Sequence, residues 1–354
     1  MKTVIPILLI VLGACTPTNT KESVLEKAPA IGTLEIVAEL DINPGYVAVS
    51  KKGRVFTTVH LMRAPEIQLI EVLKDNNYEV FPDSSLQAAP GEKSMGKLDT
   101  PLGIYFDDQD RLWIVDVGLN LGVTRLFGFD IEKRTLTHRF DIPEDLAPAS
   151  SFAQDLAVDE GNGFAYLADF ANPGIIVVNM NDTTFSKVTD STMYAEDLDM
   201  VINGSVVHLN GAPARVGINP ITLSKDRETI YYGAMSGTKW YSLKTEPIRT
   251  NADQEAIMAT LKITGPKPIS DGVDTDEEGN HYFTNLQNAS IDVLSADGEL
   301  STLIQDPILD WPDNVRSHGD WLYIAVNQLH KSPPFTGGEE QAELPYRIVR
   351  VKFR

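Results

Sequence analysis

Three features of the 354-residue chain predict an all-β fold, a six-bladed β-propeller. A strand, a tight Gly/Asp/Asn turn and a second strand with an aromatic or apolar centre recur six times along it. The copies follow one another at intervals of roughly 40 to 65 residues, a period of propeller blades rather than of a sandwich. Strand-like segments stand near both ends, Thr33 to Leu40 and Tyr346 to Phe353, where pairing in one sheet would leave no open seam.

The first copy runs from Gly45 to Ser50, turns at Lys51-Lys52-Gly53 and returns through Val55-Phe56-Thr57. The second pairs Leu102–Asp107 with Arg111–Asp116, and the third pairs Gln154–Asp159 with Phe164–Asp169 across Gly161-Asn162-Gly163. The fourth joins Asn219–Ser224 to Thr229–Gly233. The fifth is Ser270–Thr275 followed by His281–Asn285, and the sixth spans Asp313–His318 and Trp321–Ala325. Third strands are expected at Arg125–Asp130, Gly174–Asn179 and Ser290–Leu294, with outer strands at Leu136–Ile142 and Glu299–Ile304. A short amphipathic helix is expected around Asp253 to Lys262. A single blade cannot bury both faces, so the blades must pack radially about an axis. Trp113, Tyr166, Tyr231, Tyr282 and Tyr323 hold one repeated second-strand position and are expected to pack between blades.

The formal charge of -20 argues against binding to nucleic acid, where Lys and Arg must neutralise phosphates. The N-terminus pairs Lys2 with an apolar run, Val4 to Leu12, too short to span a bilayer. Leu12-Gly13-Ala14-Cys15 follows, resembling a bacterial lipobox with cleavage before Cys15 and lipidation of its thiol. The expected division is a signal peptide over 1–15, a polar tether over 16–31 and the propeller over 32–354. The expected location is extracytoplasmic, at the outer membrane, because Thr16 supplies no Asp-type retention signal. Cys15 is the sole cysteine, so neither an intrachain disulfide nor a Cys-rich metal site can form.

In a propeller the innermost strands line the channel, and ligand sites collect where backbones converge on its mouth. Aligning the copies gives one column: Gly45, Leu102, Gln154, Asn219, Asp271 and Asp313. Blades three to six thus offer two amides and two carboxylates, and blades one and two nothing polar. A register one residue on would bring in Asp155 or Asn314. Oxygen ligands of this kind suit a hard divalent cation such as Ca²⁺. The acidic run Asp274 to Glu278 opens like an EF-hand loop but carries Asn285 at the twelfth position, so a hairpin turn is expected there. The six histidines show no metal-binding spacing. His60 and His330 end strand-like segments and can approach the channel, although a structural role is expected of each.

The chain resembles the major royal jelly protein / yellow family over nearly all of its mature length. Leu112–Gly118, Gln154–Asp159 with Tyr166–Asp169, Asn219–Ser224, Ser270–Val273, Trp311-Pro312-Asp313 and Asn327-Gln328-Leu329 carry the resemblance. It is more distantly similar to gluconolactonase and senescence-marker-type propellers. The first resemblance implies a six-bladed propeller with an organic ligand in the channel, small aromatic amines among them, and a tautomerase or isomerase activity in some members. The second implies a lactone hydrolase whose divalent ion is held partly by a Glu from the first blade. Here Pro44-Gly45-Tyr46 offers no Glu. Three readings stand open: an amine or aromatic-metabolite binder with Asp271 or Asp313 as counter-charge; a metal-dependent lactonase using Asp271, Asn219 and Asp313; and a protein-binding scaffold.

Overall fold

A computed structural model describes Met1 and residues 28–354. The lipobox and Cys15 lie outside the described residues. Six four-stranded antiparallel sheets form, the first five each from one copy and the strands after it, the sixth with a strand from the start of the propeller. Their innermost strands are Pro44–Val49, Pro101–Phe106, Ala153–Asp159, Ile218–Leu223, Val273–Thr275 and Pro312–His318. Each touches its neighbours in chain order, and the last returns to the first, so the ring is closed.

The two end segments do share a sheet. Leu34–Leu40 is the outermost strand of blade six and pairs antiparallel with Tyr346–Lys352, from Leu34 opposite Val351 to Leu40 opposite Tyr346. The expected third and outer strands are present as Arg125–Asp130, Gly174–Asn179, Ser290–Leu294, Thr135–Asp141 and Leu300–Gln305. Aromatic residues of the second strands fall into separate apolar clusters, Trp113, Tyr166, Tyr282 and Tyr323 each in its own. That is the outcome expected when each ring fills the gap between two blades. The acidic run is a hairpin turn: Asp276 accepts hydrogen bonds from the Asn280 amide at 2.8 Å and the Tyr282 hydroxyl at 2.9 Å.

The helix expected over 253–262 is shorter and has a companion. Thr245–Arg249 and Gln254–Met258 both lie between the third and fourth strands of blade four. Asp253 caps the second by accepting from Ala256 N at 2.8 Å. The helix ends before Lys262 because that residue pairs with Ser242 in the outer strand. Two larger insertions lie over one mouth of the channel. Residues 189–217 carry two small hairpins, and residues 327–345 carry the helical turn Pro333–Thr336. They meet where Asn210 N donates to the Pro334 carbonyl at 2.8 Å. No helix among the described residues is long and apolar enough to cross a membrane.

Each inner strand carries a one-residue register shift near its start. The shift falls between Pro44 and Val47, Pro101 and Ile104, Ala153 and Asp155, Ile218 and Ile221, and Pro312 and Val315. Blade five shows it between the Leu286–Ile269 and Thr284–Gly272 backbone bonds. A bulge opposes two residues to one and re-aims a side chain out of the pleat. The column Gly45, Leu102, Gln154, Asn219, Asp271, Asp313 therefore consists of bulge residues. Backbones approach closely here: a Cβ on Gly103 would stand 2.4 Å from the Gln154 carbonyl oxygen, and one on Gly272 2.5 Å from the Asn314 Cα. Gly103→Ala is expected to cost about 1–3 kcal/mol through overpacking. Urea unfolding would measure this, and an unchanged midpoint would show that blades two and three separate freely.

Candidate functional site

The bulges deliver three of the four polar column residues to one another. The two oxygens of the Asp271 carboxylate accept from Gln154 Nε2 at 3.1 Å, from Asn219 Nδ2, and from Trp311 Nε1 at 2.9 Å. Asn219 Nδ2 also donates to the Asp271 carbonyl at 3.0 Å. Asp313 stands beside this group, accepting from Asn327 Nδ2 and facing His60 Nε2 at 3.8 Å. All four column residues are buried.

Both register alternatives serve the ring instead. Asn314 brackets blade one, accepting from Val47 N at 2.8 Å and donating to Val47 O at 3.0 Å. Asp155 pairs with Arg316 Nη2 at 2.9 Å. Blades three and six lie opposite each other in the ring, so this pair crosses the channel. A second crossing joins blades one and four, where the Tyr46 hydroxyl donates to Asn219 Oδ1 at 3.4 Å. Blade one thus does contribute a polar group to the channel, although its column residue is Gly45. Tyr46, one residue past the column, sits in the same bulge and is turned inward. The channel is plugged at its middle rather than open.

Electrostatics follow from this plug. Asp155, Asp271 and Asp313 are buried together with a single guanidinium, that of Arg316. Burial pushes Asp271 up to about 7, against the pull of its Trp311 and Asn219 donors. Burial likewise raises Asp155 to about 6, with Arg316 opposing. Asp313 is raised well above the usual carboxylate range, first by burial and then by the neighbouring Asp271. The Tyr46 hydroxyl, buried and ringed by the same three carboxylates, is held protonated. Burial and the Arg63 charge lower His60 to about 3. Its Nδ1 accepts from Met62 N at 3.3 Å, so the neutral ring presents Nε2–H towards Asp313.

Above Asp271 lies a narrow vault with free space of about 30 Å³, room for a water or two. Gln154, Asp271 and His60 make its polar floor, and Trp311, Phe152, Phe170 and Phe335 supply aromatic wall. Met62, Met200 and Met235 complete it, unbranched side chains that adapt to irregular shapes. Trp311 has φ of 60°, the left-handed region, which is strained for a bulky residue. That backbone carries the indole N–H that reaches Asp271. Trp311, Tyr46 and Arg316 carry no signal of a site role in the sequence, whereas His60, expected to be structural although able to approach the channel, stands at the vault and faces Asp313. His330 stacks on Trp311, ring centres 5.7 Å apart, and faces Asp310 at 3.5 Å.

This floor does not fit a divalent cation. Ca²⁺ takes six to eight oxygen ligands, whereas three N–H groups point at Asp271 and Asn219 turns its amide nitrogen inward. No group of three or more His, Cys, Asp or Glu with metal-holding geometry occurs among the described residues.

The fold is shared with solved propellers of low identity. A gluconolactonase from Xanthomonas campestris matches with a TM-score of 0.57 at 12% identity, over 91% of this chain and 90% of its own. Regucalcin from Agrobacterium tumefaciens, described as a calcium-binding protein, matches with a TM-score of 0.57 at 15% identity over 91% and 96%. Curated relatives come from Apis mellifera. Major royal jelly protein 1 is 27% identical over 183 residues, 46% of this chain and 42% of that protein. Major royal jelly protein 9 is 28% identical over 146 residues, 38% and 33% of the two chains. The matched stretch is thus less than half of either relative. The family model described as major royal jelly protein matches residues 100–308, more than half of the chain and including Gln154, Asn219 and Asp271, and the protein belongs to the major royal jelly protein family.

Proposed function

We propose that the protein binds a small organic ammonium ion with an aromatic body in the vault, its charge on Asp271. The observation that carries this reading is a buried carboxylate at the foot of an apolar, aromatic chamber. A carboxylate offers about four acceptor positions, and Gln154, Asn219 and Trp311 use three. The fourth remains for an N–H donor, with Trp311, Phe152 and Phe170 available for the ring. Holding such a ligand requires the Met-lined wall of the vault to move outward, since the free space suits only a water or two. The same reading keeps the protein outside the cytoplasm, anchored by lipid on Cys15. Lactone hydrolysis through a metal ion has less support, because the Asp271 oxygens already serve N–H donors.

Tryptamine titration followed by calorimetry tests this. Its affinity is expected to rise about tenfold per pH unit as Asp271 ionises towards pH 7, then level off. EDTA should leave it unchanged. Asp271→Asn should weaken it about 30- to 100-fold, the worth of a charged hydrogen bond. Equal binding of indole-3-propionate, which carries the opposite charge, would overturn the reading.

A further inference from the structure

His60 borders two cavities. On one side is the vault; on the other is an open groove of about 550 Å³ between blades six and one, of a size that admits a small molecule. Ile42, Val59, Ile67 and Tyr346 give the groove an apolar bed. Three carboxylates, Asp41, Glu66 and Glu340, stand around it against one guanidinium, Arg63. Arg63 is already committed: it holds Glu340 through Nε at 2.6 Å and Nη2 at 2.9 Å, and its guanidinium lies 5.2 Å over the Tyr346 ring. The groove therefore carries net negative charge.

This ion pair is wired to the site. With its amide in the orientation that satisfies its neighbours, Asn43 accepts from Arg63 Nη1 at 2.5 Å and donates to Asn327 O at 3.1 Å. Asn327 in turn donates to Asp313, the carboxylate that His60 faces. A continuous set of polar contacts thus runs from Glu340 at the surface to the acid beside Asp271.

We propose that this groove is an outer binding subsite for the same class of organic cation and the entrance to the vault, with the Arg63–Glu340 pair as its gate. The inference rests on the vault being a ligand site, and adds where the ligand first binds and how it passes. The acidic rim attracts the ammonium group, and the apolar bed receives the body. Swinging Arg63 off Glu340 opens the way past His60. The alternative way in, through the lid, would require the Asn210–Pro334 contact to break.

The test needs no bound ligand. In the full chain with Cys15→Ser, a reporter thiol is placed in the vault as Met235→Cys, with Met200→Cys as a second reporter should the first fold poorly. The rate of its modification by cationic 2-aminoethyl methanethiosulfonate and by neutral methyl methanethiosulfonate is then measured. Arg63→Ala and Glu340→Ala are each expected to raise the neutral reagent's rate about tenfold. Asp41→Asn with Glu66→Gln should slow the cationic reagent several-fold and leave the neutral one unchanged. Rates that ignore the gate variants but rise in Asn210→Pro, which removes the N–H that joins the two insertions, would overturn the proposal in favour of the lid. Fast, gate-dependent labelling in a protein that fails to bind tryptamine would instead sink only the amine reading of the vault.

Discussion

Replacing Arg316 by alanine is expected to destabilise the protein by about 3–5 kcal/mol near pH 8, the typical cost of leaving one partner of a buried pair alone. Arg316 donates to Asp155 at 2.9 Å and to the carbonyls of Val273 and Val315 at 2.9 and 3.0 Å. Without it Asp155, fully buried, keeps only the backbone amides of Leu156 and Ile221. Its carboxyl would then take up a proton, so the loss should shrink at pH 5. Replacing the pair together, Asp155→Leu with Arg316→Met, should recover most of the stability because no unpaired charge remains. Urea midpoints at the two pH values decide the matter. A loss below about 1 kcal/mol at pH 8 would mean that water reaches Asp155 and the plug is not dry.

The second large effect concerns pH. Asp271 lies near 7 in the folded protein and near 3.9 in an unfolded chain. Between these values the folded state holds the extra proton. Its contribution is complete below about pH 4 and is lost as pH rises through 7. Relative to Asp271→Asn, the wild type should therefore lose about 1.4 kcal/mol per pH unit at the steepest, approaching about 4 kcal/mol in all. His60 and His281, lowered by burial to about 3 and about 4, act in the opposite sense below pH 6.5. Both proteins carry them, so they cancel in the comparison. Chemical unfolding of the two proteins from pH 4 to pH 8 reads the difference directly, and parallel curves would show Asp271 to be ionised throughout.

The blades were legible in the sequence because each is local. A Gly or Asn turn between two short apolar runs fixes a hairpin, and the repeat of that hairpin fixes the ring. The column was legible for the same reason: every bulge falls at the same distance from its turn, so Gln154, Asn219 and Asp271 align by counting. What crosses the axis was not. Arg316 meets Asp155, and Tyr46 meets Asn219, across the channel from blades far apart in the chain, and no local spacing encodes an opposite blade. Asn314 and Asp155 shared the column's polarity, yet the turn of one residue gave the first to the Val47 backbone and the second to Arg316. The lid left a weaker trace still, since its hairpins are two residues per strand and its contacts are apolar side chains from distant segments.

The pairing of Leu34–Leu40 with Tyr346–Lys352 also sets an order of events in time. Blades one to five are each built from a contiguous stretch and can form their hairpins as soon as that stretch is free. Blade six cannot, because its outer strand comes from the beginning of the described chain and its other three from the end. Contacts of such sequence separation form late, after the loop-closure entropy has been met. The Arg316–Asp155 pair is tied to the same event, since Arg316 is carried by the inner strand of blade six. Asp155 would then meet its partner only at the final step of folding, and a chain stalled before it would expose unpaired strand edges together with an unbalanced cluster of carboxylates.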